Sequence, residues 1–210
     1  MKLNIKYSIR LEEQRIEKTI KKLPWYNKLG YRPHFPKNIN PEIDNLKKIN
    51  IALKNEYNEK DYKNAKNKIL KKNSVIGKKF ISNLENICGK KAKKEYELIL
   101  TKYGVGGSYF LPNQIIININ SKSKINTILH EITHLVIESN IQKYKIEQNQ
   151  KERIIDLILT SKQISLDNYK MQKRGKEHKK TIDKLFKKYF KPPLSNFFKK
   201  LEKMNKTVNK

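Results

Sequence analysis

The chain reads as an α+β fold in which helices predominate and a small sheet lies beside one central helix, and three observations carry that expectation. Residues 123–139 set Ile125, Ile128, Leu129, Ile132, Leu135 and Val136 at helical spacing, the apolar stripe of a helix that enters a core. Just before it, Gln114-Ile115-Ile116-Ile117-Asn118-Ile119-Asn120 is β-branched and partly alternating, as a strand is. Helical periodicity recurs on both flanks, and 37% apolar content over 210 residues is enough for one domain with a real core.

Taken in order, a short strand is expected at about 2–9, then a helix from Leu11 to Leu23 whose face is Leu11, Ile16, Ile20 and Leu23. Pro24 ends that helix because it has no amide hydrogen for the ladder, and 25–40, with Pro33 and Pro36, reads as an irregular connection in which His34 is a loop residue. Asn40-Pro41 offers a cap and a first helical residue for a segment to about Lys72, broken near 58–61. Ser74 can cap the next helix, to Cys88, and Gly89 separates it from another ending at Tyr103. Gly104, Gly106 and Gly107 break the chain before a strand at 108–111, and Pro112-Asn113 turns it into the strand at 114–120. Ser121 or Ser123 then caps the central helix.

A second buried helix follows at about 149–160, with apolar residues at 154, 155, 157, 158 and 159. Residues 167–190 are lysine-rich and amphipathic, and Pro192-Pro193 stops them. Ser195 can cap a last helix in which Phe197, Phe198, Leu201 and Met204 form a stripe that docks on the core, with 205–210 frayed. The chain therefore divides into a mainly helical region at 1–104, a core at 105–160 and basic helices at 161–210, within one compact domain.

The formal charge is +28, spread as +7 over 1–60, +8 over 61–120, +1 over 121–160 and +12 over 161–210. The central segment is nearly neutral between two basic flanks, so nucleic acid is a possible partner. It is not the favoured one. Only Arg10, Arg15, Arg32, Arg153 and Arg174 are arginines, against 43 lysines, and scattered lysine adds diffuse potential without the bidentate fork that reads phosphate and guanine. No zinc-finger, helix-turn-helix or RNA-binding fingerprint occurs. A single cysteine, Cys88, excludes an internal disulfide framework. With no apolar signal core and no run of membrane-spanning length, a cytoplasmic protein is expected. The sequence is silent on oligomeric state.

The central helix carries His130-Glu131-Ile132-Thr133-His134, an H-E-x-x-H. Residues i and i+4 share a helix face, so both imidazoles can grip one metal ion, expected to be Zn²⁺, and Glu131 sits where a base acting on metal-activated water must be. Catalytic zinc takes three protein ligands and keeps one position open. A third histidine at the position six beyond His134 is excluded, because Asn140 stands there; His178 is the one histidine further on, and Glu152 is a closer candidate. Glu152 and Asp156 lie four apart in the second buried helix, and carboxylates rarely enter an apolar face without a cation or metal.

H-E-x-x-H followed on a second helix by E-x-x-x-D resembles the gluzincin metallopeptidases, over about 105–160, and implies a zincin-like form of the α+β fold. The resemblance implies His130, His134 and Glu152 as ligands of one zinc ion, Glu131 as general base and Asp156 as acceptor of a hydrogen bond from His130. Larger gluzincins carry Asn just before the ligand Glu, where this chain has Lys151. For the residue that stabilises the transition state the candidates are His178, Tyr144 and Tyr169. In zincins the strand before the metal helix is a sheet edge that pairs with an extended polypeptide substrate, which here implies Ile115, Ile117 and Ile119. The expected activity is that of a zinc metalloendopeptidase, in which zinc-bound water attacks a peptide bond with help from Glu131. The alternatives are a DNA-associated regulatory metalloprotease and a non-enzymatic basic binding protein with a structural metal.

Overall fold

The computed structural model of the chain describes residues 1–171 and 176–208, without the side chains of 176–179, 207 and 208. The chain is mixed α/β and 58% helical, with a four-stranded sheet. Its elements are β1 (Lys2–Lys6), α1 (Ile9–Lys21), α2 (Leu23–Lys28), α3 (Leu46–Glu56), α4 (Glu59–Cys88), β2 (Glu95–Thr101), β3 (Gly107–Phe110), β4 (Gln114–Asn118), α5 (Lys124–Lys143), α6 (Gln148–Leu159), α7 (Lys176–Tyr189) and α8 (Ser195–Val208). They fall into two compact units, 1–75 with 94–131 and 76–93 with 132–210. Among the described residues, no helix is long and apolar enough to cross a membrane.

The first unit is built on the sheet, ordered β1-β2-β4-β3, with β3 antiparallel and the other pairings parallel. β2 corrects the expectation of a helix ending at Tyr103. It is an inner strand, so Leu98, Ile99 and Leu100 are all buried and the period-two signal disappears. Ser8 caps α1 by accepting from Leu11 N at 3.2 Å, and Ile16 packs with Ile49, Leu53 and Tyr103 in one cluster. Glu12, Arg15 and Thr19 are buried on that helix too.

Three further expectations change in and around this unit. Pro24 starts the short helix α2 instead of leaving a loop, since its missing amide costs nothing in a first turn. α3 begins at Leu46, not at Pro41. Asn40 and Asp44 close a turn of their own (Asn40 N to Asp44 Oδ2, 2.8 Å), and Asn45 is the cap, accepting from Lys48 N at 3.0 Å. α4 runs unbroken through Ser74, whose hydroxyl donates back to Lys71 O at 2.7 Å, and ends at Gly89, where φ is +63°.

The second unit packs the end of α4, the end of α5, and α6, α7 and α8. Phe80, Leu84 and Ile87 of α4 are buried, and Leu194 N donates to Ile87 O at 3.0 Å. The stripe on α8 is docked as expected: Phe197, Phe198 and Leu201 are fully buried, with Phe198 stacked on Tyr144 and Phe197 edge-on to Phe186. α8 continues to Val208, so 205–208 are helical where fraying was expected. Arg153 of α6 forks onto Asp183 of α7 with two 2.7 Å bonds.

Candidate metal centre

His130 and His134 sit one turn apart on α5, 6% and 2% exposed. The division between the two units falls within this helix, after Glu131, but the helix is continuous, so the spacing of the two rings is the spacing of a helix. In the second unit Glu152 of α6 brings Oε2 to 3.4 Å from His134 Nε2. That is long for a hydrogen bond. It is, however, the separation expected of two atoms each roughly 2.0–2.1 Å from one tetrahedral metal, about 3.3–3.4 Å apart.

The other oxygen of Glu152 is held by Gln148, whose Nε2 donates to Oε1 at 2.7 Å and so turns Oε2 toward His134. One nitrogen or oxygen from each of His130, His134 and Glu152 lies within 4.8 Å of the others, and all three residues are buried. The group can hold a metal ion. Two imidazoles with one carboxylate form the mixed nitrogen and oxygen set that borderline cations take. Burial adds a reason, since a carboxylate taken from water without a cation is costly.

Glu131 is buried between the two histidines in sequence and lies against the first residue of β3. A Cβ on Gly107 would fall under 3.0 Å from both Glu131 Oε1 and Thr127 Cγ2, so the absence of a side chain there makes room for the carboxylate. Asp156 is 1% exposed and accepts from the Tyr169 hydroxyl at 2.7 Å. Glu152 and Asp156 are thus buried carboxylates, and the neighbouring Arg153 is committed to Asp183.

Of the candidates for transition-state stabilisation, Tyr144 is a packing residue stacked on Phe198, Tyr169 is engaged with Asp156, and His178 falls in α7 where the side chains lie outside those described. The substrate-edge expectation for Ile115, Ile117 and Ile119 is corrected. β4 lies between β2 and β3 with Ile115 and Ile117 buried, and Ile119 is buried just past its end, because the chain makes β3 first and folds it back antiparallel on the outside. The outer strand beside Glu131 is β3.

Three participants were not anticipated: Gln148, Gly107 and Arg15. Arg15 is 3% exposed and its Nη2 donates to Ser108 Oγ at 3.1 Å. Burial lowers its pKa, opposed by Tyr26 and by the carboxyl groups of Glu12 and Glu131. Its Nε rests on Gly104, where φ is +78° and a Cβ would collide with the guanidinium. One signal was available: an arginine on the apolar face of α1, in a chain that otherwise places lysine, marks a position where a planar fork is needed. No protein-family model, curated protein or solved structure matches this chain.

Proposed function

We propose that the protein is a zinc-dependent metallopeptidase of the gluzincin type. The observation that carries it is the convergence of three buried donors, His130, His134 and Glu152, around the turn of α5 that bears Glu131. When bound, zinc supplies a Lewis acid and lowers the pKa of a coordinated water. Glu131 accepts the proton of the attacking water and later delivers it to the leaving amine. Asp156, steadied by Tyr169, orients the ring of His130, which fixes its tautomer and raises its basicity as a ligand. Gln148 does the corresponding work for Glu152. The polypeptide lies along the outer edge of β3, whose first residue faces Glu131.

The test combines metal analysis with a protease assay. Zinc-loaded protein is expected to hold one ion per chain and to cleave an unfolded polypeptide. Glu131→Gln should keep the zinc and lose at least about a hundredfold in rate, the scale of a lost general base. His130→Ala and Glu152→Ala should lose the zinc itself. Sub-stoichiometric zinc in the parent chain, or proteolysis unchanged in Glu131→Gln, would remove the proposal.

A further inference from the structure

We propose that the outer edge of β3 selects polypeptides with acidic side chains, through Lys18 and Lys22. The proposal rests on the peptidase reading above and names its substrate class. Among the described residues β3 is the outer strand and pairs with β4, from Gly107 opposite Ile117 to Phe110 opposite Gln114, and all four of its residues are half-buried. Successive residues of a strand face opposite sides of the sheet. On one side Gly107 abuts Thr127 and Glu131. On the other, Ser108 accepts from Arg15, and the Phe110 ring lies under two ammonium groups, Lys18 Nζ and Lys22 Nζ, each 5.7 Å from its centroid.

Positions 15, 18 and 22 follow one another along a single helix face, so α1 and its C-cap lay three cations beside the face of β3 that looks away from Glu131. Lys18 and Lys22 are exposed, and neither is paired with a carboxylate among the described residues. Two like charges over one ring repel, and an anion between them relieves that repulsion. Beside them is a cavity of about 200 Å³ lined by Leu11, Gln14, Arg15 and Lys18 from α1 and by Gln114 and Ile116 from β4. It is smaller than the ~300 Å³ at which small-molecule pockets begin, and its sheet side is β2 and β4, so β3 stands between it and a chain added at the outer edge. The carboxylate on its wall, Glu97, is already taken by Lys6 at 3.0 Å and by Gln114.

A peptide added to β3 sends every second side chain onto this basic face, while its backbone runs past Glu131. Aspartate or glutamate at those alternate positions meets Lys18 and Lys22. A peptide fits better than a nucleic acid because a strand edge recognises amide N–H and C=O groups, which a phosphodiester chain does not carry.

The experiment uses the zinc-loaded full chain and length-matched peptide mixtures that are acidic, neutral or basic. The acidic set should be cleaved with a kcat/KM at least tenfold above the basic set, mainly through KM, and the advantage should shrink as salt rises. The double variant Lys18→Glu/Lys22→Glu should reverse the order, and Lys18→Gln/Lys22→Gln should level it; thermal melts check that both variants fold. Equal cleavage of the three sets, an unchanged order in the Glu variant, or an oligonucleotide that competes for this edge through the same lysines overturns the proposal. If the parent chain cleaves no peptide at all, the peptidase reading fails, and fluorescence anisotropy of a labelled acidic peptide decides this one: binding that needs Lys18 and Lys22 supports it, and no binding overturns it.

Discussion

Gly107 shows how much of the site is decided by a single missing methyl group. Its backbone is not in the left-handed region, unlike that of Gly30, Gly89 and Gly104, so alanine is conformationally acceptable there and only the collision with Glu131 and Thr127 is introduced. Thr127 is fixed on α5, so the carboxylate must yield. A displacement near 1 Å at a reacting group costs about a hundredfold. Gly107→Ala should therefore lower kcat/KM by roughly ten- to a hundredfold and leave one zinc per chain; full activity with normal zinc would show that Glu131 is not held by this contact. His130, Glu131 and His134 are legible in sequence because their geometry is that of one helical turn. Glu152 and Asp156 are legible because carboxylates stand out in an apolar run. Arg15 is legible only as an arginine on an apolar face; its bond to Ser108 spans 93 residues, and no local pattern encodes that partner.

Helix α8 is readable because it buries one stripe at a period of 3.6, and α5 and α6 are readable from apolar residues at helical spacing, although the fold buries 128–134 and 150–156 without a break. β2 is not, because a strand buried on both faces has no alternation and a short apolar run reads equally as helix. The cap of α3 and the continuity of α4 are not legible for another reason: Asn40, Asn45 and Ser74 all have capping chemistry, and which one caps depends on which carbonyls and amides are left unsatisfied nearby. The docking of α8 gives a quantitative expectation. Phe197 is fully buried against Phe186 and Phe198, so Phe197→Ala should cost about 3–5 kcal/mol in urea unfolding. A loss below about 1 kcal/mol would mean that the helix end is not part of the core.

At the scale of the whole molecule, the excess of lysine is plain in composition, but where charge is buried is not. Glu12 lies fully buried on α1, and burial raises its pKa from 4.5 to about 7, despite hydrogen bonds from Tyr62 (2.5 Å) and Lys102 N (2.6 Å) and the charges of Arg15 and Lys102. The folded chain then binds more protons than the unfolded chain between these values. The contribution of Glu12 is thus fully present below about pH 4.5 and is lost as pH rises through about 7. The stability difference between the parent chain and Glu12→Gln should move against the parent by up to roughly 3 kcal/mol from pH 4.5 to 8, and a flat difference across that window would contradict it. The two outer strands of the sheet also differ in kind. β1 carries Lys2 and Lys6 along its length, whereas β3 is Gly107-Ser108-Tyr109-Phe110, with no charge of its own. Lysine on an outer strand deters edge-to-edge addition of another chain, and β3 lacks that guard. Self-association should therefore start at β3, held back at low salt by the mutual repulsion of strongly cationic copies and released when added salt screens it.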